Sequence, residues 1–206
     1  MKIIKRFILG NLKTNCYLIE VNNKIMLIDA GDNIEQVLSY LEKNNLKLEF
    51  VLLTHTHYDH IAGLNQLKTK LPEVVVVVDK KEQKYLRDST YNLSYLDNTN
   101  YIYLGNYITY DDFDYQSYNF DIFTINGHSL NSVCLYNKNE NILFSGDTLF
   151  KDSIGRSDFL NGNEYNLKKG IKEKILTLPK ETKVYPGHGF STTVEYEKNN
   201  NIFLKE

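Results

Sequence analysis

Residues 54–63 read THTHYDHIAG and hold three of the chain's five histidines together with an aspartate. In extended backbone, side chains at i and i+2 point the same way, so His55 and His57 can grip one cation together. Asp59 and His60 fall where the chain turns into a helix, face elsewhere, and are placed to reach a second ion close by. Four ligand-type side chains within six residues are costly unless something neutralises and pairs them. A polar loop with surface histidines would not account for that density.

The other two histidines occupy comparable positions. His128 stands in INGHSLNS after the apolar run FDIFTI, and His188 stands in YPGHG after TKVY. Asp147 stands in FSGDTLF after NILFS. Each follows an apolar strand pattern with a glycine directly or nearly before it. Alone, each of the three has an ordinary reading, as a core or surface histidine or as a turn aspartate before Thr148. Taken with the first cluster they read as ligands, Asp147 as a bridge between ions. Imidazole suits zinc and iron, and a carboxylate can span two cations. Calcium or magnesium sites are built from oxygen and would not need so much imidazole. A structural zinc site would be cysteine-rich and closed.

The elements that must position these side chains are legible from periodicity. RFILG, CYLIE and KIMLIDAG read as strands, with VNNK as a hairpin turn. Ile34, Val37, Leu38 and Leu41 recur at helical spacing after Asp32-Asn33, a pair able to cap. FVLLTH reads as a buried strand. IAGLNQLKTKL predicts a helix that Pro72 ends, VVVVV at 74–78 a strand, and KKEQKYL a helix. The Tyr- and Asn-rich stretch 89–117 has no clear pattern. FDIFTI, SVCLY and NILFSG predict three more strands, and EYNLKKGIKEKIL an amphipathic helix weakened by Gly170. TKVYPGHG predicts a short strand running into a glycine-rich loop. This order, strands then mixed β/α in each half, suggests a core of two sheets covered by helices.

The chain has 206 residues, enough for one sizeable core, so 1–206 is expected to be one domain. Its formal charge is −2 and no Lys/Arg-rich block stands out, which argues against nucleic acid or an anionic membrane as partner. A small-molecule substrate is expected; oligomeric state is not legible. Cys16 and Cys134 lie far apart without metal-type spacing, both read as core residues, and a reducing compartment fits them. Lys5 and Arg6 interrupt the N-terminal apolar run as a signal peptide would not. No apolar run is long enough to span a bilayer. The cytoplasm is the expected location.

HTHYDH, followed by GHS, SGDTLF and YPGHG and preceded by NCYLIE and LIDAG, resembles the metallo-β-lactamase fold superfamily over nearly the whole chain. GDTLFKDSIGRSDF with YPGHG is similar to the glyoxalase II branch of thioester hydrolases, especially its short members. The resemblance implies an α/β fold: an αββα sandwich of two mixed β-sheets flanked by helices. It implies His55, His57 and His128 on one metal, Asp59, His60 and His188 on a second, and Asp147 bridging. It matches Asp29 to a carboxylate that buttresses ligands, although a turn residue before Gly31 is the plain alternative. It matches Arg156 to a basic substrate-binding position; a surface arginine paired with Asp158 or Asp152 is the other reading. Two divalent ions are implied, zinc first, with iron or manganese as alternatives. Ser129-Leu130-Asn131 replaces the Thr-Pro-Gly usual after the third histidine. Little chain follows YPGHG, less than the helical extension with which glyoxalase II holds glutathione, so glutathione is not the expected carrier.

The implied reaction is thioester hydrolysis by a metal-bridging hydroxide, with the carbonyl polarised by one ion and Asp59 orienting the nucleophile. Tyr58 stands between ligands and either lines the mouth of the site or is an exposed spacer. Three alternatives remain open at this point. One is a persulfide dioxygenase using His55, His128 and Asp147 as a facial triad on one iron. The second is another hydrolase of this scaffold, such as a lactonase or phosphodiesterase; lactamases that use a cysteine ligand do not fit. The third is a metal-binding module without catalysis, which leaves no reason to keep every ligand.

Overall fold

The computed structural model describes residues 1–205. The chain divides into two compact units, Met1–Asp114 and Tyr115–Glu206. Mixed β-sheets with flanking helices make up the architecture, as the sequence patterns predict.

The first unit is built on one six-stranded sheet: β1 (Lys2–Leu9), β2 (Thr14–Val21), β3 (Lys24–Ile28), β4 (Leu48–Leu52), β5 (Val75–Val78) and β6 (Tyr107–Thr109), adjacent in that order. β1, β2 and β3 run antiparallel, and β3 to β6 run parallel. Asn22 and Asn23 both take positive φ, 49° and 62°, as a two-residue hairpin turn with right-handed strand twist requires. Helix α1 (Glu35–Lys43) buries Val37 and Leu41. The expected side-chain cap is not made. Ile34 occupies the cap position, and the Asp32 carboxylate accepts from the Asn33 amide instead.

The helix expected from Ile61 to Leu71 is two helices, α2 (Tyr58–Ile61) and α3 (Leu64–Lys70). The break has a backbone cause. His60 O accepts from Ala30 N at 2.8 Å and Gly63 N donates to Ala30 O at 2.9 Å, so the chain after β3 takes groups that a continuous helix would keep. KKEQKYL forms only a 3₁₀ segment, Gln83–Arg87. Leu86 O is taken by Tyr103 N and Tyr85 O by Asp88 N, which ends the helix within one turn. In the stretch without a clear pattern, ahead of β6, buried Asn92 ties neighbouring backbone segments together. Its amide donates to Tyr85 O and Tyr101 O, and its carbonyl accepts from Ser94 N. The core of this unit includes Leu18, Leu27, Val51, Leu64, Leu67 and Val76, all buried.

The second unit holds a five-stranded sheet in the order β13-β12-β9-β8-β7, from β7 (Phe120–Ile125), β8 (Ser132–Asn137), β9 (Ile142–Gly146), β12 (Lys183–Pro186) and β13 (Thr192–Thr193). A small hairpin pairs β10 (Leu149–Phe150) with β11 (Ser153–Ile154). β8 is antiparallel to both β7 and β9, and β12 is parallel to β9. Strands β7, β9 and β12 therefore point the same way and end at one edge. Helix α4 (Glu164–Gly170) passes directly into a π-helical turn, Ile171–Ile175. Gly170 does not weaken a free helix here. A Cβ at that position would come within 2.6 Å of Ile125 Cγ2, so its absence lets α4 lie against β7. Leu167, Ile171 and Ile175 are fully buried in this unit's core with Leu143 and Val184. Helix α5 (Val194–Asn200) and the 3₁₀ turn Ile202–Leu204 follow β13. Among the described residues, no helix is long and apolar enough to cross a membrane.

Candidate metal centre

The first unit gathers His55, His57, Asp59 and His60 beyond the end of β4. His57 is extended, with φ −63° and ψ 146°, and helix α2 begins at the next residue. This is the turn expected from the sequence. His55 Nε2 and His57 Nδ1 lie 3.1 Å apart, and His60 Nε2 lies 3.4 Å from Asp59 Oδ2. All three histidines are buried.

Hydrogen bonds fix which ring nitrogen His55 and His60 offer. Asp29 follows β3, and Thr54 follows β4, the parallel neighbour of β3. Asp29 Oδ1 accepts from Thr54 N, and Asp29 Oδ2 accepts from Thr54 Oγ1, both at 2.8 Å. Asp29 Oδ2 also accepts from His60 Nδ1 at 2.8 Å. With its Nδ1 protonated in this way, His60 keeps a lone pair on Nε2. The single hydroxyl proton of Thr54 goes to Asp29, so the contact at 3.0 Å between Thr54 Oγ1 and His55 Nδ1 requires His55 to donate. His55 then also offers its Nε2 lone pair. Asp29 thus sets two tautomers, one directly and one through Thr54, as carboxylates behind metal-binding histidines do. It sits in the left-handed region, with φ 58°.

In the second unit, His128, Asp147 and His188 follow β7, β9 and β12, the three strands that end at one edge. His128 Nδ1 donates to the carbonyl of Arg156 at 2.8 Å, leaving its Nε2 as a lone pair. That Nε2 lies 3.7 Å from Asp147 Oδ2, and His188 Nε2 lies 3.4 Å from the same oxygen. Two imidazoles flank one carboxylate oxygen. Gly155 makes this packing possible. A Cβ there would overlap the Asp147 carbonyl oxygen and stand 3.1 Å from His128 Nδ1.

These donor sets suit divalent cations. Ligands about 2.0–2.1 Å from a tetrahedral ion are roughly 3.3 Å from one another, and the four separations above run from 3.1 to 3.7 Å. Imidazole nitrogens and carboxylate oxygens held so close are spaced as the ligands of a shared cation would be.

The side chain of Arg156 is exposed. Its Nε and Nη2 donate to Asp158 at 3.0 and 2.8 Å, and its guanidinium lies 4.2 Å from the Phe159 ring centre. That bond holds the Asp158 carboxyl below its usual range. Tyr58 is half-buried against Tyr101 rather than freely exposed. Cys16 and Cys134 are fully buried, and burial pushes both thiols up to about 12. Four supports escaped the sequence reading: Thr54, Thr14, Glu82 and the Arg156 carbonyl. Thr14 Oγ1 donates to Asp59 Oδ2 at 2.8 Å across 45 residues of chain. Glu82 Oε2 accepts from both the amide and the hydroxyl of Thr56 at 2.9 Å. Thr54 could have been noticed as a hydroxyl beside a ligand. The others carry no local signal.

Comparison with known proteins agrees with this chemistry. A hydroxyacylglutathione hydrolase, GloC of Haemophilus influenzae, is 31% identical, with 92% of each chain covered. The crystal structure of BLEG-1, a B3 metallo-β-lactamase, is 33% identical with a TM-score of 0.91, covering 98% of this chain and 99% of that one. That of TTHA1623 in a di-iron-bound form is 29% identical with a TM-score of 0.86, covering 98% and 100%. The family model described as the metallo-beta-lactamase superfamily matches residues 9–188 and so takes in every candidate ligand named above. The chain belongs to the metallo-β-lactamase superfamily, as a metallo-hydrolase of that family.

Proposed function

We propose that the protein is a thioester hydrolase working on a pair of divalent ions, and that residues 1–206 act as one catalytic domain. In this reading His55, His57 and His128 hold one ion, Asp59, His60 and His188 the other, and Asp147 joins them. The observation that carries the reading is Asp147 Oδ2, which faces the Nε2 atoms of both His128 and His188. A carboxylate oxygen flanked by two imidazole nitrogens is what a bridge between two cations requires. The similarity to TTHA1623 in a di-iron-bound form supports two ions and leaves zinc, iron and manganese as candidates.

When bound, such ions lower the pKa of a water toward ~7 and polarise a carbonyl. The chain's own residues supply the rest. Asp59 is partly exposed and held by Thr14, so its carboxylate can orient the attacking water and take up a proton. Asp29 keeps His60 and His55 in the ligating tautomers. Arg156 can leave Asp158 for an anionic substrate group, because an exposed ion pair contributes little. Arg156→Ala should then raise KM for anionic thioesters and leave kcat near its original value.

Likeness to a hydroxyacylglutathione hydrolase supports thioesters as the substrate class. Likeness to a B3 metallo-β-lactamase favours β-lactam hydrolysis as a second reading. The test measures metal per chain after purification and then hydrolysis of lactoylglutathione, simpler thioesters and a chromogenic cephalosporin. Two ions per chain with thioester cleavage is the expected result. Cephalosporin cleavage alone would establish the second reading. One iron with oxygen uptake on a persulfide and no thioester cleavage would overturn both in favour of the dioxygenase.

A further inference from the structure

Thr56 stands between His55 and His57, so its orientation sets theirs. Its backbone amide and its hydroxyl both donate to one oxygen, Glu82 Oε2, at 2.9 Å. Glu82 is fully buried. It lies four residues past β5, the strand parallel to β4, whose end leads into the histidine loop. Its backbone is anchored at both ends, with its N–H donating to Asp79 O and its carbonyl accepting from Tyr85 N. On the same flank, Leu53 N donates to Val77 O and Leu53 O accepts from Tyr110 Oη at 3.0 Å. On the opposite flank, Asp29 holds Thr54. Residues 53–56 are therefore clamped between two buried carboxylates, one reaching from beyond β3 and the other from beyond β5.

We infer that Glu82 is a positioning residue for the His55–His57 pair, holding Thr56 so that His55 Nε2 and His57 Nδ1 converge before any ion arrives. The inference rests on the reading that these histidines ligate a metal. A buried carboxylate is costly to desolvate, and a loop that only needed ordering could use apolar packing. A carboxylate oxygen that accepts twice from one residue fixes both the backbone and the χ1 angle of Thr56. His55 and His57 then cannot splay without breaking two charge-assisted bonds.

Geometry and charge separate in four variants. Glu82→Gln keeps the reach and an acceptor oxygen but loses the charge. Glu82→Asp keeps the charge and loses the reach. Glu82→Ala loses both. Thr56→Val, nearly isosteric, loses one of the two bonds. Zinc affinity would be measured by chelator competition, Co(II) loading would be followed by its ligand-field absorption, and metal-free stability by urea. Positioning predicts Glu82→Gln close to the original protein, with Glu82→Asp and Glu82→Ala weaker by roughly 10- to 100-fold, the usual cost of losing a group behind a ligand. Both weak variants should show altered Co(II) absorption. Thr56→Val, which disturbs the fold least, should lose affinity severalfold and covers the case in which Glu82→Ala does not fold. Unchanged affinity and absorption in Glu82→Ala, or in Thr56→Val if the former is unfolded, would overturn the inference. So would loss in Glu82→Gln with none in Glu82→Asp. If the unsubstituted protein binds no metal, the functional reading fails instead.

Discussion

Replacing Asp29 with asparagine changes one atom type inside a side chain that is 1% exposed, and its consequences can be followed bond by bond. The amide oxygen can take the place of Oδ1 and still accept from Thr54 N. The amide nitrogen then faces two donors, Thr54 Oγ1–H and His60 Nδ1–H, which Oδ2 had accepted at 2.8 Å each. To avoid opposing donors, His60 must move its proton to Nε2, which removes the lone pair that faces Asp59. The Thr54 hydroxyl must turn its proton toward His55 Nδ1, and His55 then protonates on Nε2 and loses its lone pair as well. If neither shift occurs, or if the amide instead turns its oxygen to the Oδ2 position and opposes Thr54 N with its nitrogen, a buried donor goes unsatisfied at a cost of about 1–3 kcal/mol. If both occur, two imidazoles are in the wrong tautomer for a cation. Either way the metal-free fold is weakened modestly, while zinc affinity should drop roughly 10- to 100-fold. Chelator competition on the purified variant reads the affinity, and a urea titration of the metal-free form reads the stability. Unchanged zinc affinity together with unchanged stability would refute the bonds assigned to Asp29 and with them its role.

Three further outcomes follow from particular contacts. Gly155→Ala would push a Cβ into the Asp147 carbonyl and toward His128; overpacking of this kind costs typically 1–3 kcal/mol, and both thermal stability and metal content should fall. Native protein should not react with a thiol reagent at pH 8, because Cys16 and Cys134 are buried and shifted up to about 12, whereas denatured protein should show two reactive thiols. The same shift sets a sign for alkaline stability. Unfolded thiols ionise above about 8.5 while folded ones stay protonated, so the folded state binds more protons. Stability contributed by the two cysteines is thus fully present below pH 8.5 and falls by up to ~1.4 kcal/mol per pH unit per cysteine until about 12, which urea titrations at pH 8 and 10 would detect. Leu67→Ala, in the middle of α3 and fully buried, should cost about 2–5 kcal/mol without altering the donor geometry. Its metal affinity should hold while its unfolding midpoint drops.

The sequence alone marked the candidate donors and the strand ends that mount them. Alternation in THTH places His55 and His57 on one side, and apolar runs ending at His128, Asp147 and His188 mark strand ends, because both signals are local in the chain. It also marked nine of the eleven strands of the two sheets, because runs of apolar residues are a local signal, and missed the short β6 and β13, which have none. It missed the break between α2 and α3 because that break is made by the backbone of Ala30, some thirty residues away. KKEQKYL failed as a helix partly for the same kind of reason, the Leu86 carbonyl being taken by Tyr103. The tautomers were beyond the sequence altogether: they depend on Asp29 reaching Thr54 and His60 across parallel strands, and on the backbone carbonyl of Arg156 reaching His128. Glu82 and Thr14 were invisible for a further reason. A lone glutamate in a charged stretch and a lone threonine at a strand start look solvated, and only the packing of β5 beside β4, and of β2 within the sheet, turns them inward onto Thr56 and Asp59.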